Sequence, residues 1–393
     1  MPSNERFRAH RSLLRETMAP NFLHNVAAPA IHNVTQDLLR LWREKIRLGE
    51  GRPFQADKDI LRNIVDIILL ASLGLRTDMT NAQADLLRYL DQIQVPVNMQ
   101  SPVEFPMAAE SPTYTCIREL VDSVQIGMNS PIPKQHMQFA LKYYPSLAAA
   151  RKFTDELMKR VLRSAWEKFN EQGRDNEITS ALELVVQREV VLARKENRPV
   201  MENNNAIRDE LFGFYIAGHE TTSTTICWAV KRLSMHQKIQ QRLRDEFRSV
   251  YPDAIREKRL PSAKEIVNSS VPYLDAFIEE NHRHCTTIPA VIRRTTRDAV
   301  ILGHQVPEGT DVFMMLHGPT FQSPGFPIDE SRRSQTSQDS KDRYGKWPDE
   351  DISDFKPERF LVKDESGRYK FDSRAGPVLP YGAGLRGCFG MTL

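Results

Sequence analysis

The sequence predicts a mainly α protein with a small β-rich region near residues 288–316. Apolar residues recur with helical spacing through most of the chain. Short apolar or β-branched runs at 291–294, 299–302 and 311–316 are typical of strands, and Pro307–Thr310 reads as a turn. Predicted helices cover residues 4–18 (closed by Pro20), 30–47, 57–74, 82–95, 113–128, 147–172, 205–232 and 271–285.

The composition excludes several classes of protein. With 54 basic and 51 acidic side chains among 393 residues, the net charge is +3, and we expect no nucleic-acid partner. The N-terminus is polar from its first residues, which does not indicate a signal peptide. The most apolar run, 60–75, contains Arg62 and Asp66, so it predicts a buried helix and not a membrane span.

The four cysteines are far apart in the chain. This spacing argues against a disulfide framework and a zinc site, and it is typical of a reducing compartment. They are Cys116, Cys227, Cys285 and Cys388.

The last of these cysteines follows a glycine-rich run, Pro380–Gly390, with Arg386 two positions before Cys388. Glycines let a backbone turn tightly and approach a flat ligand closely. A thiolate held at the start of a following helix is stabilised by the positive end of that helix. Such a thiolate is a suitable axial ligand for haem iron.

The same run has two other possible interpretations. Gly382, Gly384 and Gly387 also spell the dinucleotide-binding pattern G-x-G-x-x-G. That pattern needs a strand before it and a long helix after it, whereas Pro380 precedes it and six residues follow Gly387. A glycine-rich surface loop with an inert cysteine stays open for the loop taken alone.

The long helical pattern at 205–232 carries a second candidate site, in the run 217–222. Phe214, Gly218, Thr221 and Thr225 share one helix face. Gly218 removes bulk where a small ligand could sit, and Thr221 offers it a hydroxyl, with the acid Glu220 beside it. A core helix with threonines bonded to their own carbonyls is the alternative.

Glu280 and Arg283 form a third candidate motif, since residues three apart share a helix face. Pro357–Phe360 follows later in the chain and supplies a second arginine, Arg359. Taken alone, a Glu–Arg pair of this kind is common at helix surfaces and contributes only about 0.2–0.5 kcal/mol, so the residues by themselves leave a chance surface pair open. The spacing of His282, His284 and Cys285 does not set them on one helix face, which argues against a metal site there.

Together the three motifs, in this order, resemble those of cytochrome P-450 enzymes of the eukaryotic microsomal type, including filamentous-fungal members. The loop matches with Tyr381 where the family usually has Phe. The run 217–222 is similar to the oxygen-activation motif, and Phe7–Arg11 is similar to Trp-x-x-x-Arg with Phe for Trp. The resemblance covers nearly the whole chain and implies a single domain over 1–393.

The resemblance implies haem b as the cofactor and a role for each matching residue. The cofactor-binding residues would be Cys388 as the metal ligand, Tyr381 and Gly384 in the loop, and Arg386, Arg293 and Arg11 on the propionates. The catalytic residues would be Gly218, Glu220 and Thr221, the last two delivering protons. The buried charge network would comprise Glu280, Arg283 and Arg359. The substrate pocket would be lined by Phe214, Ala217, Ile288, Pro289, Ala290 and Val291.

The activity that the resemblance implies is insertion of one atom of O2 into a small apolar organic substrate, as in secondary metabolism. Electrons would come from an NADPH–cytochrome reductase, and we expect a monomer. Full-length family members sit at the cytoplasmic face of the endoplasmic reticulum. This chain lacks the membrane anchor and early sheet and stops five residues after Cys388, so we expect a chain truncated at both ends and cytoplasmic as it stands.

Two alternatives remain from the sequence: a haemless helical protein without catalysis, and a haem-thiolate enzyme that rearranges its substrate without inserting oxygen. Two segments are also ambiguous. The proline- and methionine-rich stretch 96–145 is either the roof of a substrate channel or a surface connection. The polar, serine-rich stretch 318–343 is expected to be a solvated insertion or mobile loop.

Overall fold

The computed structural model describes residues 5–171, 177–200, 205–341 and 345–391. It divides the chain into two units, the first ending at Ser223 and the second running from Thr224 to Met391. The boundary between them falls within one long helix, Asn205–Met235.

The first unit is built from helices alone in its described part. They are α1 Glu5–Leu13, α2 Pro20–Phe22, α3 Ala28–Gly49, α4 Asp57–Leu73, α5 Met79–Arg88, α6 Pro112–Asp122, α7 Val124–Met128, α8 Pro133–Tyr143, α9 Pro145–Glu171, α10 Ala181–Lys195 and the first part of α11 Asn205–Met235. A 3-10 turn (Arg15–Met18) and a π turn (Leu23–Ala27) join the first three.

Helix α4 is the most deeply buried element of the first unit. Its apolar residues include Val65 and Leu69, both 0% exposed. Its buried Asp59 accepts hydrogen bonds at 2.7 and 2.8 Å from Lys45 on α3, and a third from Trp42. Since an unpaired buried charge would be costly, this pair fixes how α3 and α4 pack.

In its described part, the second unit combines short helices with three two-stranded sheets. Its helices after α11 are α12 Gln237–Val250, α13 Pro252–Arg256, α14 Ala263–Val267, α15 Pro272–His284 and α16 Gln335–Ser340. Its strands are β1 Ala290–Arg294, β2 Ala299–Ile301, β3 His304–Val306, β4 Asp311–Met315, β5 Leu361–Lys363 and β6 Tyr369–Phe371. Short 3-10 turns cover Glu330–Arg332, Pro357–Phe360 and Gly384–Arg386.

The three sheets are antiparallel pairs. Strand β1 pairs with β4, with Ala290 opposite Met315. The hairpin β2–β3 and the pair β5–β6 complete the set. Helix α15 packs on both sides of this unit's core, through Tyr273 and Phe277 against Phe355, and through Ala276 against Trp347.

Most of the predicted helices lie within a few residues of the observed ones, and the predicted β-rich region is confirmed with one additional strand, β3. The helix predicted over 82–95 is wrong at its end, because α5 stops at Arg88. The helix predicted over 113–128 is broken at Ser123, whose hydroxyl donates to Leu120 O at 2.6 Å. Helices α8, α10 and α12 were not predicted.

The chain's first predicted helix also differs from the observed one. Its first residue, Asn4, lies outside the described residues, and α1 ends at Leu13. Pro20 begins a helix instead of closing one, because its fixed φ suits the first helical position. Among the described helices, none combines the length and hydropathy that a bilayer span requires.

Candidate active site

Cys388 lies in a tight loop that its own backbone closes. Its N–H donates to Tyr381 O at 2.7 Å, and the N–H of Gly387 donates to Gly384 O at 3.0 Å. A Cβ at Gly387 would lie 3.3 Å from that same carbonyl oxygen. A side chain at Gly387 would therefore crowd the turn that presents the cysteine.

The conformation of this loop requires glycine at two positions. Gly382 and Gly384 have φ of 64° and 66°, in the left-handed region that L side chains rarely adopt. A Cβ at Gly384 would meet no described atom within 4 Å, so this face of the loop is open. Cys388 is exposed and its thiol is free, and residues 389–391 form a turn.

Tyr381 anchors the loop to helix α15. Its ring meets the ring of His282 edge to face, with centroids 5.1 Å apart and planes at 78°. His282 is 7% exposed, and its Nδ1 lies 3.5 Å from Glu279 Oε2. Burial, followed by the charges of Glu279 and Cys388, raises the pKa of Tyr381 to about 12. The hydroxyl therefore stays neutral at physiological pH.

The structure brings Glu280, Arg283 and Arg359 together. Arg283 donates to both carboxylate oxygens of Glu280, from Nε at 2.6 Å and from Nη2 at 2.8 Å. Arg359 Nε donates to Glu280 Oε1 at 3.3 Å. The Glu280 and Arg283 side chains are both 0% exposed, and that of Arg359 is 3% exposed.

Main-chain carbonyls complete this network. Arg283 also donates to the carbonyls of Phe321, Ile352 and Asp354. Since a guanidinium has five N–H donors, one side chain ties α15 to two separate loop segments, one at Phe321 and one at Ile352 and Asp354. The stretch predicted to be solvated at 318–343 is therefore anchored at its start, and α16 forms within it; Arg343 lies outside the described residues.

The charges of the network control the ionisation of Glu280. Burial alone would raise the pKa of this carboxyl. Hydrogen bonds from Arg283 and His284, the charge of Arg283 and the N–H of Lys356 outweigh that effect and hold the pKa below its usual value. Glu280 is consequently a buried carboxylate that remains ionised.

Arg359 has acidic and aromatic partners of its own. Its Nη1 donates to Asp351 Oδ1 at 2.7 Å, and its guanidinium lies 5.8 Å from the ring of Trp347. The guanidinium of Arg283 lies 5.7 Å from the same ring. Asp351 and Trp347 were not predicted as members of the network. Their positions relative to Pro357–Phe360 depend on loop paths that sequence periodicity does not report.

The residues predicted to activate oxygen lie on α11, in the first unit. Thr221 Oγ1 donates to Ala217 O at 2.7 Å, which is the bond to its own helix that the alternative interpretation expected. Glu220 and Ala217 are exposed, and Phe214 is half-buried. Helix α11 is regular from Asn205 to Met235, so the hydrogen bond from Thr221 does not interrupt it at Ala217.

Gly218 has a packing role in the structure. A Cβ there would lie 2.8 Å from Cδ1 of Ile68 on α4. The missing side chain therefore lets α4 and α11 approach closely, and Ile68 fills the room that the sequence suggested for a small ligand. The neighbouring His219 stacks on Tyr215 with centroids 4.7 Å apart.

Two arginines outside the loop, Arg293 and Arg11, were also expected to bind the haem propionates. They lie in different units. Arg293 is exposed on β1, where its Nη1 donates to the carbonyl of Ile292 at 2.9 Å. Arg11 is half-buried on α1, beside His10, whose Nδ1 lies 2.8 Å from Glu210 Oε1. Arg386, in the loop itself, is half-buried.

The residues predicted to line a substrate pocket are found at the start of β1 and on α11. Ile288 is 51% exposed, and Pro289 is also exposed. Ala290 and Val291 are half-buried in β1, opposite Met315 and Met314. Pro289 O accepts the N–H of Leu316 at 2.7 Å, which extends the β1–β4 pair by one bond.

The donor set around Cys388 fits a haem group. The cysteine offers an exposed, free thiol, the protein donor that haem iron accepts in thiolate-ligated enzymes. The glycines beside it leave one face of the loop open to a flat ligand. Arg386 supplies a cation within two residues of the sulfur, suited to a carboxylate of the haem.

Comparison with known proteins assigns this fold. The sequence model of the family "Cytochrome P450" matches residues 2–319. The chain is similar over 99% of its length, at 41% identity, to cytochrome P450 monooxygenase GME11363 of Pestalotiopsis microspora, covering 68% of that protein. It is 35% identical over its whole length to cytochrome P450 monooxygenase TRI13 of Fusarium sporotrichioides, covering 70% of it.

Solved structures agree with the sequence comparisons. The crystal structure of a cytochrome P450, CYP102L1, matches with a TM-score of 0.63 at 18% identity, over 100% of this chain and 69% of that one. The haem domain of cytochrome P450DA matches with a TM-score of 0.59 at 18% identity, over 98% of this chain and 66% of that one. These likenesses confirm the predicted mainly α fold class.

Proposed function

The chain belongs to the cytochrome P450 family, whose cofactor is haem b, and on that premise we propose that it inserts one oxygen atom of O2 into a small apolar organic substrate. In this proposal an NADPH–cytochrome reductase supplies the electrons at the cytoplasmic face of the endoplasmic reticulum, and the enzyme works as a monomer. Its fungal relatives, which are named as monooxygenases, support a place in secondary metabolism.

The exposed thiol of Cys388 is the observation that carries the proposal. It is presented by a loop that two left-handed glycines turn and that the Cys388 N–H closes onto Tyr381 O. A backbone hydrogen bond and a tight glycine turn fix the main chain of Cys388 before any ligand arrives, which reduces the cost of ordering the loop on binding. When bound, haem supplies the oxygen activation.

The network behind the loop positions the thiol. Tyr381 contacts His282 on α15, and Glu280 and Arg283 on the same helix fasten it to the segments around Phe321 and Ile352. Because these buried charges bind one another strongly, α15 is a rigid support for the loop. We assign the network to this support and not to proton transfer.

Glu220 and Thr221 hold and move the protons in this proposal. A threonine hydroxyl both donates and accepts, so it can pass on a proton that it receives from a neighbouring acid. Thr221 Oγ1 currently donates to Ala217 O, and turning about its χ1 angle would redirect that proton away from the helix. Arg386, Arg293 and Arg11 bind carboxylates of the cofactor, and the apolar side chains of Phe214, Ile288 and Val291 orient the substrate and exclude water.

Turnover under labelled oxygen tests this function. The purified chain would be loaded with haem, combined with a fungal NADPH–cytochrome reductase and a panel of apolar terpenoid and polyketide compounds, and incubated under ¹⁸O2. The proposal predicts NADPH-dependent products that carry one ¹⁸O atom. A product rearranged without label would show an isomerase instead, and failure to take up haem would show that this chain has no oxygenase activity. Reactions without NADPH serve as the control.

A further inference from the structure

A cavity of about 520 Å³ lies wholly within the second unit. It is bounded by the last turns of α11, the end of α15 and the segment after β4. None of the ten described residues that line it is acidic. Its size is in the range of small-molecule sites.

Arg232 gives this cavity its charge. Its Nε is buried and has no hydrogen-bond partner among the described residues. Its Nη2 lies 3.7 Å from Cys285 Sγ, and its guanidinium lies 5.2 Å from the ring of Phe355. A thiol is only a weak hydrogen-bond acceptor. Among the described residues, no carboxylate forms an ion pair with this guanidinium. Leaving a partly buried guanidinium uncompensated is costly unless a ligand completes it.

Other polar side chains line the same space. Gln322 Nε2 donates to His284 O at 2.5 Å and lies 3.1 Å from His317 Nδ1. His317 itself lines the cavity. The hydroxyl of Thr287 lines the cavity as well.

The remaining wall is apolar. Trp228 and Pro289 both line the cavity, and Lys231 Nζ lies 4.8 Å from the ring of Trp228. An arginine fork, neutral donors and an aromatic wall are together suited to an organic anion, because the fork matches the two oxygens of a carboxylate.

The local field agrees with this interpretation. Burial, followed by the positive charge of Arg232, lowers the pKa of the adjacent His236. An anion in the cavity would be attracted by the same arginine charge.

We propose that this cavity binds the carboxylate of a small organic molecule through Arg232. The site goes beyond the proposed oxygenase function, for which the substrate is apolar. Since Pro289 is also expected to line the substrate pocket, an acid bound here would lie beside that pocket.

Calorimetric titration of the haem-loaded protein with benzoate tests the proposal, with benzamide as the neutral isostere. We expect benzoate to bind at least tenfold more tightly than benzamide, and R232Q to remove that preference, because a hydrogen bond to a charged group is lost. R232K, which keeps the charge, should retain part of it. R256Q removes an exposed arginine of the same unit and should bind benzoate like the unmodified protein. Equal binding of both probes, or benzoate binding unchanged in R232Q, would overturn the proposal.

Alkylation supplies a second measurement that does not depend on any variant folding. Cys285 lines the cavity, so benzoate should slow its reaction with iodoacetamide several-fold while Cys116, in the first unit, reacts at an unchanged rate. Haem-free and haem-loaded protein are compared. If haem alone protects Cys285 and blocks benzoate, the carboxylate is the cofactor's own and the proposal of a separate acid site is wrong. Because both measurements are of binding, a failure of oxygenase turnover would leave them intact.

Discussion

Glu280 accepts two hydrogen bonds from Arg283, at 2.6 and 2.8 Å, and neither side chain has any exposed surface. Residues three apart on a helix surface usually contribute little to stability. Here the pair is withdrawn from water, and the same guanidinium also holds three main-chain carbonyls. The contribution of this pair to stability is therefore seen when one partner is removed and the other is left buried without it.

We expect E280A to destabilise the protein by about 3–5 kcal/mol, because it leaves the buried Arg283 without a carboxylate and removes one of the two carboxylates that Arg359 binds. Urea unfolding of the purified chain, followed by circular dichroism, measures the change. R283A should cost a similar amount, and the E280A/R283A double variant should cost clearly less than the sum of the two.

A surface pair gives the control for this prediction. Arg294 and Asp311 form a two-pronged ion pair at 2.8 and 2.6 Å on the surface of the same unit. Removing that carboxylate with D311A should change stability little, since water solvates the arginine that remains. Equal effects of D311A and E280A would show that burial of the network contributes nothing.

Because Glu280 is ionised in the folded protein, we expect the free energy of unfolding to fall at acid pH. Its folded-state pKa lies below the value of about 4.5 expected for an unfolded chain. The unfolded state therefore binds the proton first, so the stabilisation is complete above about pH 4.5 and is lost as the pH falls through the folded-state pKa. Urea midpoints from pH 7 to pH 3 should fall less steeply in E280Q than in the unmodified chain. Parallel curves would contradict the assignment.

Gly376 is expected to tolerate no side chain. A Cβ there would lie 2.5 Å from two carbons of the Trp347 indole, which is 3% exposed. Because a buried ring cannot yield as the end of a flexible side chain can, G376A should cost about 1–3 kcal/mol.

The matched control is G213A on α11, where a Cβ would meet nothing within 4 Å among the described residues. This variant should leave stability unchanged or raise it by up to about 1 kcal/mol, since alanine favours the helix. Thermal unfolding of both variants measures the two changes in stability. A G376A protein as stable as G213A would mean that Trp347 is packed differently.

The proposed proton path makes Thr221 a test of coupling. T221A should raise the peroxide released per NADPH consumed several-fold, because the hydroxyl that passes protons is gone. T221S should restore most of the coupling, and T222A, which removes the adjacent exposed hydroxyl, should leave it unchanged. Peroxide and NADPH are measured in the same reaction with any substrate that the enzyme accepts. If T221A and T222A behave alike, Thr221 only bonds its own helix.

Helices with strong apolar periodicity and clear end signals could be predicted from the sequence. The prediction of 57–74 lies one residue from Asp57–Leu73, since apolar periodicity and the left-handed Gly74 mark that helix and its end. Helix α10 was missed although Ser180 accepts the N–H of Glu183, a capping pattern that the sequence displays. Residue types and helical spacing predicted only that Glu280 and Arg283 share a helix face, whereas Arg359 was joined to them through the family resemblance.

The remaining contacts depend on tertiary paths. Nothing in the sequence places Ile352 O or Phe321 O at Arg283, because carbonyls carry no residue signature. The same applies to the edge-to-face contact of His282 with Tyr381. For Gly218 the sequence reveals the residue type but not the contact. Its neighbour, Ile68, lies on a helix about 150 residues earlier in the chain.

The ferrous–carbon monoxide spectrum of haem-loaded protein tests most directly whether the Cys388 sulfur binds iron. The unmodified chain and C116A should both show the thiolate band. C388A should lose that band, and C388S should lose it as well, since serine keeps the size of the side chain but replaces sulfur with oxygen. A C388A protein that takes up haem and still shows the thiolate band would contradict the assignment of Cys388 as the ligand.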